Sequence, residues 1–172
     1  MKRVVLATLC AIGLQGADHD LYTHSVELVT GYTLNSDDMY LKDGSGWGAR
    51  YNYNVTNNEF YEPGAIQVAF DYQFEQDYLG GGSSSVYRLG TNALWYMDNP
   101  SEITPFALLG VGVQIFSNTE HGTYDGFYGA LGGGVEYQLR GDTAIFGEGK
   151  YLYSGDESSF ITSVGIKYSF GQ

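Results

Sequence analysis

Thiols are almost missing from this chain. Its single cysteine, Cys10, lies inside an N-terminal apolar run from Val4 to Leu14. Once that run is removed no disulfide framework and no Cys-based metal or redox centre can form. Lipidation at Cys10 is the sharper alternative, but Ala7, Thr8 and Leu9 fit a lipobox poorly. Cations are also scarce, with 8 Lys and Arg against 20 Asp and Glu, so the basic patch that nucleic acid requires is absent. Only 3 prolines occur and 16% of residues are charged, a composition that argues against a disordered chain. No apolar run is long enough to cross a bilayer as a helix, and no helix of useful length is expected.

What is present begins with Lys2 and Arg3, followed by the apolar run and then Gly16 and Ala17. This is the layout of a secretory signal peptide, placed at residues 1–17, with one domain at 18–172. Losing Lys2 and Arg3 leaves six cations against 20 acids, a net charge of about −14.

The chain has 25 Gly and 16 Tyr, and apolar and polar residues alternate over eight stretches: 25–34, 46–55, 65–75, 85–96, 104–116, 126–139, 143–153 and 160–172. In a strand, successive side chains point to opposite faces. The last stretch sets Phe160, Thr162, Val164, Ile166, Tyr168 and Phe170 against Ile161, Ser163, Gly165, Lys167 and Ser169. The second sets Trp47, Ala49, Tyr51 and Tyr53 against Gly48, Arg50, Asn52 and Asn54. Stretch 104–116 is apolar on both faces, so its register is weakly determined. Strands of about ten residues, at roughly 3.3 Å each and tilted about 45°, span roughly 23 Å, close to the apolar band of an outer membrane.

A soluble barrel or sandwich has the same period of two, so the charges must decide which face is inside. Arg50, Arg88, Lys150 and Lys167 share the polar face with Glu27, Asp71, Glu136 and Glu148, while Lys42 and Arg140 are the remaining mature cations. Charges segregated in this way suit a compensated lumen, because isolated ions are costly to desolvate. The expectation is an all-β, eight-stranded antiparallel up-and-down transmembrane β-barrel whose lumen is plugged by these eight side chains. Tyr53, Tyr72, Tyr87, Tyr96, Tyr137, Tyr153 and Tyr168 near strand ends are expected to form interface girdles. Connections 35–45, 76–84, 117–125 and 154–159 read as mostly long, and 56–59, 97–103 and 140–142 as mostly shorter. With short turns on the periplasmic side, both termini fall in the periplasm of a Gram-negative bacterium.

Ser163, Gly165, Tyr168 and Phe170 resemble the polar-x-Gly-x-x-aromatic-x-aromatic ending that outer-membrane barrels present to the barrel-assembly machinery. GALGGGVEYQL at 129–139, with the ending SVGIKYSFGQ, resembles the transmembrane domain of the outer membrane protein A family. PFALLGVGVQIFSN at 105–118, with FYGALGGGVEY, is similar to the barrel of the campylobacter fibronectin-binding outer-membrane protein. The resemblance implies a plugged eight-stranded barrel in which Glu136 is the lumenal glutamate of a salt-bridge cluster. The cluster's arginine falls on Phe146, so Lys150 and Lys167 are the candidate replacements. Pairing across 154–159 is expected to set Lys167 diagonal to Glu148. The larger members continue into a peptidoglycan-binding domain; a barrel-only member is the favoured reading here.

Other motifs have plainer explanations. Arg140, Gly141 and Asp142 spell an integrin-binding tripeptide, yet a tight turn accounts for them, and the relative's FRLS ligand segment is replaced by YQLR. Glu136 and Glu148 could act as a glycosidase pair, but ion pairing with lysine accounts for them better. His121 in HGT departs from the His-x-Ser of lipid A deacylases, and Gly80 to Gly82 lacks the Lys-Ser/Thr of a phosphate cradle. Acidic loop residues such as Asp37, Asp43 and Asp77 lack metal-ligand spacing. No catalysis, cofactor or metal is expected. The expected role is structural or adhesin-like at the surface, with outer-membrane lipid, lipopolysaccharide and the assembly machinery as partners. A host extracellular-matrix protein is the partner the resemblance adds. A small porin-like channel is the alternative role and a lipid A-modifying enzyme the third.

Overall fold

A computed structural model describes residues 22–36, 41–55, 64–77, 82–97, 102–118, 122–155 and 157–171. The expected signal peptide, Cys10, Gly80, Gly81 and His121 lie outside them. Eight strands form: β1 His24–Asn35, β2 Gly44–Asn54, β3 Ala65–Asp77, β4 Ser83–Tyr96, β5 Ile103–Asn118, β6 Gly122–Arg140, β7 Thr143–Ser154 and β8 Glu157–Phe170. Each pairs antiparallel with its sequence neighbour, and β8 pairs with β1 to close the barrel. No helix occurs among the described residues.

The register sets the barrel's shape. Partners traced from His24 through Tyr53, Ile66, Ala93, Leu109, Leu131, Tyr151 and Phe160 lead back to β1 at Leu34, ten residues beyond the start. That stagger over eight strands corresponds to a tilt of about 40° and an interior just wide enough for side chains to fill.

The alternation puts large apolar side chains on the outer wall. Phe127 is 84% exposed, Val111 68% and Val164 61%, with Leu28, Leu89 and Leu131 among them. Inside, the barrel divides. Charges come mainly from β1, β2, β3, β7 and β8. Leu94, Phe106, Leu108, Tyr128, Ala130, Leu152 and Ile161 form a buried apolar cluster weighted toward β4, β5 and β6. Near one mouth Leu41 packs on Val86 and Phe116. The interior is therefore partly apolar as well as charged.

Two expectations about the ends are corrected. The strands consume much of the long connections: β6 starts at Gly122, β8 at Glu157, and β5 and β6 pair up to Asn118↔Gly122. What remains is 36–43, 78–82, 119–121 and 155–156 at one end, against 55–64, 97–102 and 141–142 at the other. The simple long-short alternation is absent, because residues 117–118 and 122–125, expected in a connection, pair with one another and with the ends of β5 and β6 instead. Tyr96 belongs to the inside and not to a girdle: it shares parity with Arg88, Asn92 and Leu94 and packs against the apolar cluster. A register shift between Gln73 and Gln76 leaves Glu75 exposed, where it accepts a hydrogen bond from the Ser83 hydroxyl.

Candidate functional site

The lumenal charges arise from strand parity. Glu27 on β1 stands directly opposite Arg50 on β2 and Lys167 on β8, and Asp71 on β3 stands opposite Arg88 on β4. Glu136, Glu148 and Lys150 have the inward parity of β6 and β7, and all three are buried. Seven of the eight are buried and Asp71 nearly so, its side chain being 13% exposed.

Five of these side chains join across the barrel. Arg50 reaches from β2 to β7, where Nη1 and Nη2 donate to Oε2 and Oε1 of Glu148 at 2.6 and 3.0 Å. Its guanidinium also lies 3.9 Å from Glu27 and 3.8 Å from Asp71. Lys150 on β7 returns across to β3, donating to Asp71 Oδ2 at 2.9 Å. Glu27 accepts from Asn52 at 2.6 Å and Gln67 at 3.3 Å, and Gln67 accepts from Asn92 at 2.7 Å. The bidentate Arg50–Glu148 pair is the strongest of these contacts by geometry and the hardest to replace.

The other three charges stand outside that group. Lys167 donates to Glu136 at 2.9 Å and to the Tyr96 hydroxyl at 3.3 Å, with its ammonium 5.0 Å from the Tyr96 ring centre. Arg88 forms no ion pair within 4.0 Å among the described residues; its Nη2 donates to the Gln73 amide oxygen at 3.1 Å. The expected diagonal of Lys167 and Glu148 is not found, because Lys167 is opposite Ala144 and Glu148 opposite Ser163. The two candidate replacements for the missing arginine separate: Lys167 takes Glu136, and Lys150 takes Asp71.

Phe146 faces Glu136 in the ladder, and its ring lies 5.8 Å from the Arg50 guanidinium. Gly165 on β8 makes room for that ring, since a Cβ there would meet Phe146, the Leu28 carbonyl and Val29. Within the C-terminal motif Ser163 is buried and faces inward with Gly165, while Tyr168 and Phe170 are exposed. Arg140, Gly141 and Asp142 form the turn from β6 to β7, with the Ser169 amide donating to the Asp142 carbonyl at 2.8 Å.

Sequence reasoning missed the amide ladder of Asn52, Gln67, Gln73 and Asn92 and the inward face of β5. The signal for the ladder was available, because those residues share parity with Arg50, Asp71 and Arg88. For β5 the clue was Gln114, whose parity with Phe106 and Leu108 identifies the inward face. Among the described residues no cluster of His, Cys, Asp or Glu could hold a metal ion. Chemically, the arrangement neutralises each lumenal carboxylate and crosses the lumen with struts.

Solved structures similar to this one include outer-membrane barrels of eight strands. Neisserial surface protein A is 15% identical, with a TM-score of 0.67 over 86% of this chain and 97% of that one. The N-terminal β-barrel domain of Pseudomonas aeruginosa OprF is 12% identical, with a TM-score of 0.59 over 87% of this chain and 98% of that one. Ail, the attachment invasion locus protein of Yersinia pestis, is 18% identical, with a TM-score of 0.54 over 85% and 98% of the two chains. No protein-family model and no curated protein sequence matches this chain.

Proposed function

We propose that the chain is an integral barrel of the bacterial outer membrane, of the outer membrane protein A type, with a structural and surface-interaction role and no catalysis. One observation carries this reading: the molecule is inside-out for water. Val111 and Val164 are mostly exposed on the outer wall, while Arg50, Arg88, Lys150 and Lys167 are at most 4% exposed within it. An apolar solvent makes that arrangement favourable, and barrel closure removes every unpaired strand edge.

The β5–β6 hairpin supports an orientation. β6 has 19 residues, which at roughly 3.3 Å each and a tilt of about 40° exceeds an apolar band of about 25 Å by nearly as much again. The surplus belongs at the outer face, opposite the termini, so both termini are periplasmic. The extended hairpin and the mouth bearing Asp43, Asp77 and Lys42 are the surface offered to lipopolysaccharide and to a host matrix protein. That two similar barrels are described as a surface protein and an attachment protein supports this role. Tyr168 and Phe170 are the aromatics offered to the assembly machinery during insertion.

Heat-modifiable gel migration combined with membrane fractionation tests the reading. The expected result is a compact band in the outer-membrane fraction that shifts on boiling, with proteolysis of intact cells cutting within 119–121 before 141–142. Recovery in the soluble fraction, or cleavage at 141–142 first, would contradict it.

A further inference from the structure

One row of the ladder runs Ser163, Gly31, Gly46 and Gln73 across β8, β1, β2 and β3. Its two central members contribute no side chain to the lumen between Ser163 and Gln73, and a Cβ at either would press on the carbonyl of Thr162 or Tyr72 in the next strand. A cavity lies beside this row, lined also by Thr33, Asp71, Arg88 and Ile161, and its volume of about 20 Å³ suits one particle the size of a water or a monatomic ion.

The fully buried side-chain atoms around this cavity that lack a partner are all donors or able to donate, while Asp71 Oδ1, also on its lining, has Arg50 at 3.8 Å. Arg88 Nε, Gln73 Nε2 and Ser163 Oγ are buried with no hydrogen-bond partner. Because the Gln73 oxygen takes the Arg88 hydrogen bond at 3.1 Å, the amide nitrogen is the end that remains. Arg88 and Gln73 are each 1% exposed and Ser163 is 7% exposed. The nearby Asp71 carboxylate is engaged by Lys150 at 2.9 Å and Arg50 at 3.8 Å, so Arg88 is the lumenal cation without a carboxylate of its own. Buried donors left unmatched cost free energy, and a charged guanidinium costs more than a neutral group.

We propose that this cavity is a binding site for a monatomic anion of the halide class, held by Arg88, Gln73 and Ser163. A halide is the anion nearest in size to the single water-sized particle that this volume suits. The ion pairs with Arg88 and occupies the cavity beside Gly31 and Gly46, completing the plug on the side of the lumen facing β1 to β4.

Crystals of the detergent-purified barrel grown with sodium bromide in place of chloride test this by anomalous scattering. The expected result is a bromine peak in contact with Arg88, Gln73 and Ser163. Gln73→Glu supplies Arg88 with a carboxylate of nearly the same shape and should abolish the peak, folding being checked by heat-modifiable migration. In solution at constant ionic strength, replacing gluconate with bromide should raise the wild-type thermal midpoint saturably and leave Gln73→Glu unmoved. Ser163→Ala introduces no charge and should weaken bromide binding about tenfold, giving a second reading where Gln73→Glu does not fold. Density without an anomalous signal, which identifies a water, overturns the proposal. So does an adventitious ion only, seen as a bromide peak that persists in Gln73→Glu, or a midpoint indifferent to halide.

Discussion

Phe146 and Glu136 stand opposite one another in the β6–β7 ladder, yet the Glu136 carboxylate is held from the far side of β7, by Lys167 on β8 at 2.9 Å. An arginine at 146 could have reached its ladder partner directly. Here an aromatic ring occupies that place and covers Arg50, and the cation for Glu136 comes from one strand further on. The lumen thus keeps its charge balance with its partners exchanged. Lys167→Ala should consequently leave Glu136 buried without a cation and lower stability by about 3–5 kcal/mol. Urea unfolding in detergent, followed by gel migration, measures it. Planar-bilayer recordings on the same pair should show no sustained large conductance for wild type and more frequent opening events for Lys167→Ala.

Arg50 gives the second prediction. Its bidentate contact with Glu148 joins residues 98 positions apart and bridges β2 to β7. Glu148→Ala should cost about 3–5 kcal/mol, since it strands the guanidinium beside only the more distant Glu27 and Asp71. Arg50→Met combined with Glu148→Leu should recover only part of that loss: two apolar side chains of similar volume need no desolvated partner, but Glu27 then has no cation within 4.0 Å among the described residues. A double-mutant cycle on urea midpoints separates the pair's coupling from the cost of an orphaned charge.

Strand parity could be read from residues such as Arg50 between Ala49 and Tyr51, because a period of two with one greasy face admits a single facing once the charges are grouped. The ion-pair partners could not. Arg50–Glu148 and Lys150–Asp71 cross the lumen, and their meeting depends on a stagger of ten residues accumulated over eight registers that no local pattern encodes. β5 failed for a different reason: Phe106, Leu108, Leu109 and Val111 are apolar on both faces, so hydrophobicity cannot distinguish lumen from outer wall. The connections were misjudged because residues 122–125, read as part of a loop, pair with 115–118 of β5 beyond the point where a membrane strand needs to end.

Gly165 carries a packing prediction. A Cβ at this position would press on the Leu28 carbonyl, on Val29 and on the Phe146 ring. Backbone cannot yield as a flexible side chain can, so Gly165→Ala should destabilise by about 1–3 kcal/mol through overpacking. Adding Phe146→Leu should relieve only the ring's share. If the double variant regains full stability, the carbonyl contact is unimportant and the ring alone requires the glycine.

The outer wall supplies the prediction that separates lipid from water most directly. Val111 lies mid-strand on β5, 68% exposed, paired with Thr91 and Gly129 and with no charged ladder partner. In an aqueous barrel an arginine there would extend into solvent, and surface substitutions of that kind usually lie within about 0.5 kcal/mol of neutral. In a bilayer the same guanidinium enters hydrocarbon near the midplane and should cost about 2–4 kcal/mol. Val111→Arg, refolded into vesicles and titrated with denaturant, should therefore be destabilised by that larger amount. Lys at Asp125, nearer the β5–β6 hairpin tip, should be close to neutral in the same assay. Equal small effects at both positions would mean that the apolar wall meets water, and the membrane reading would fail.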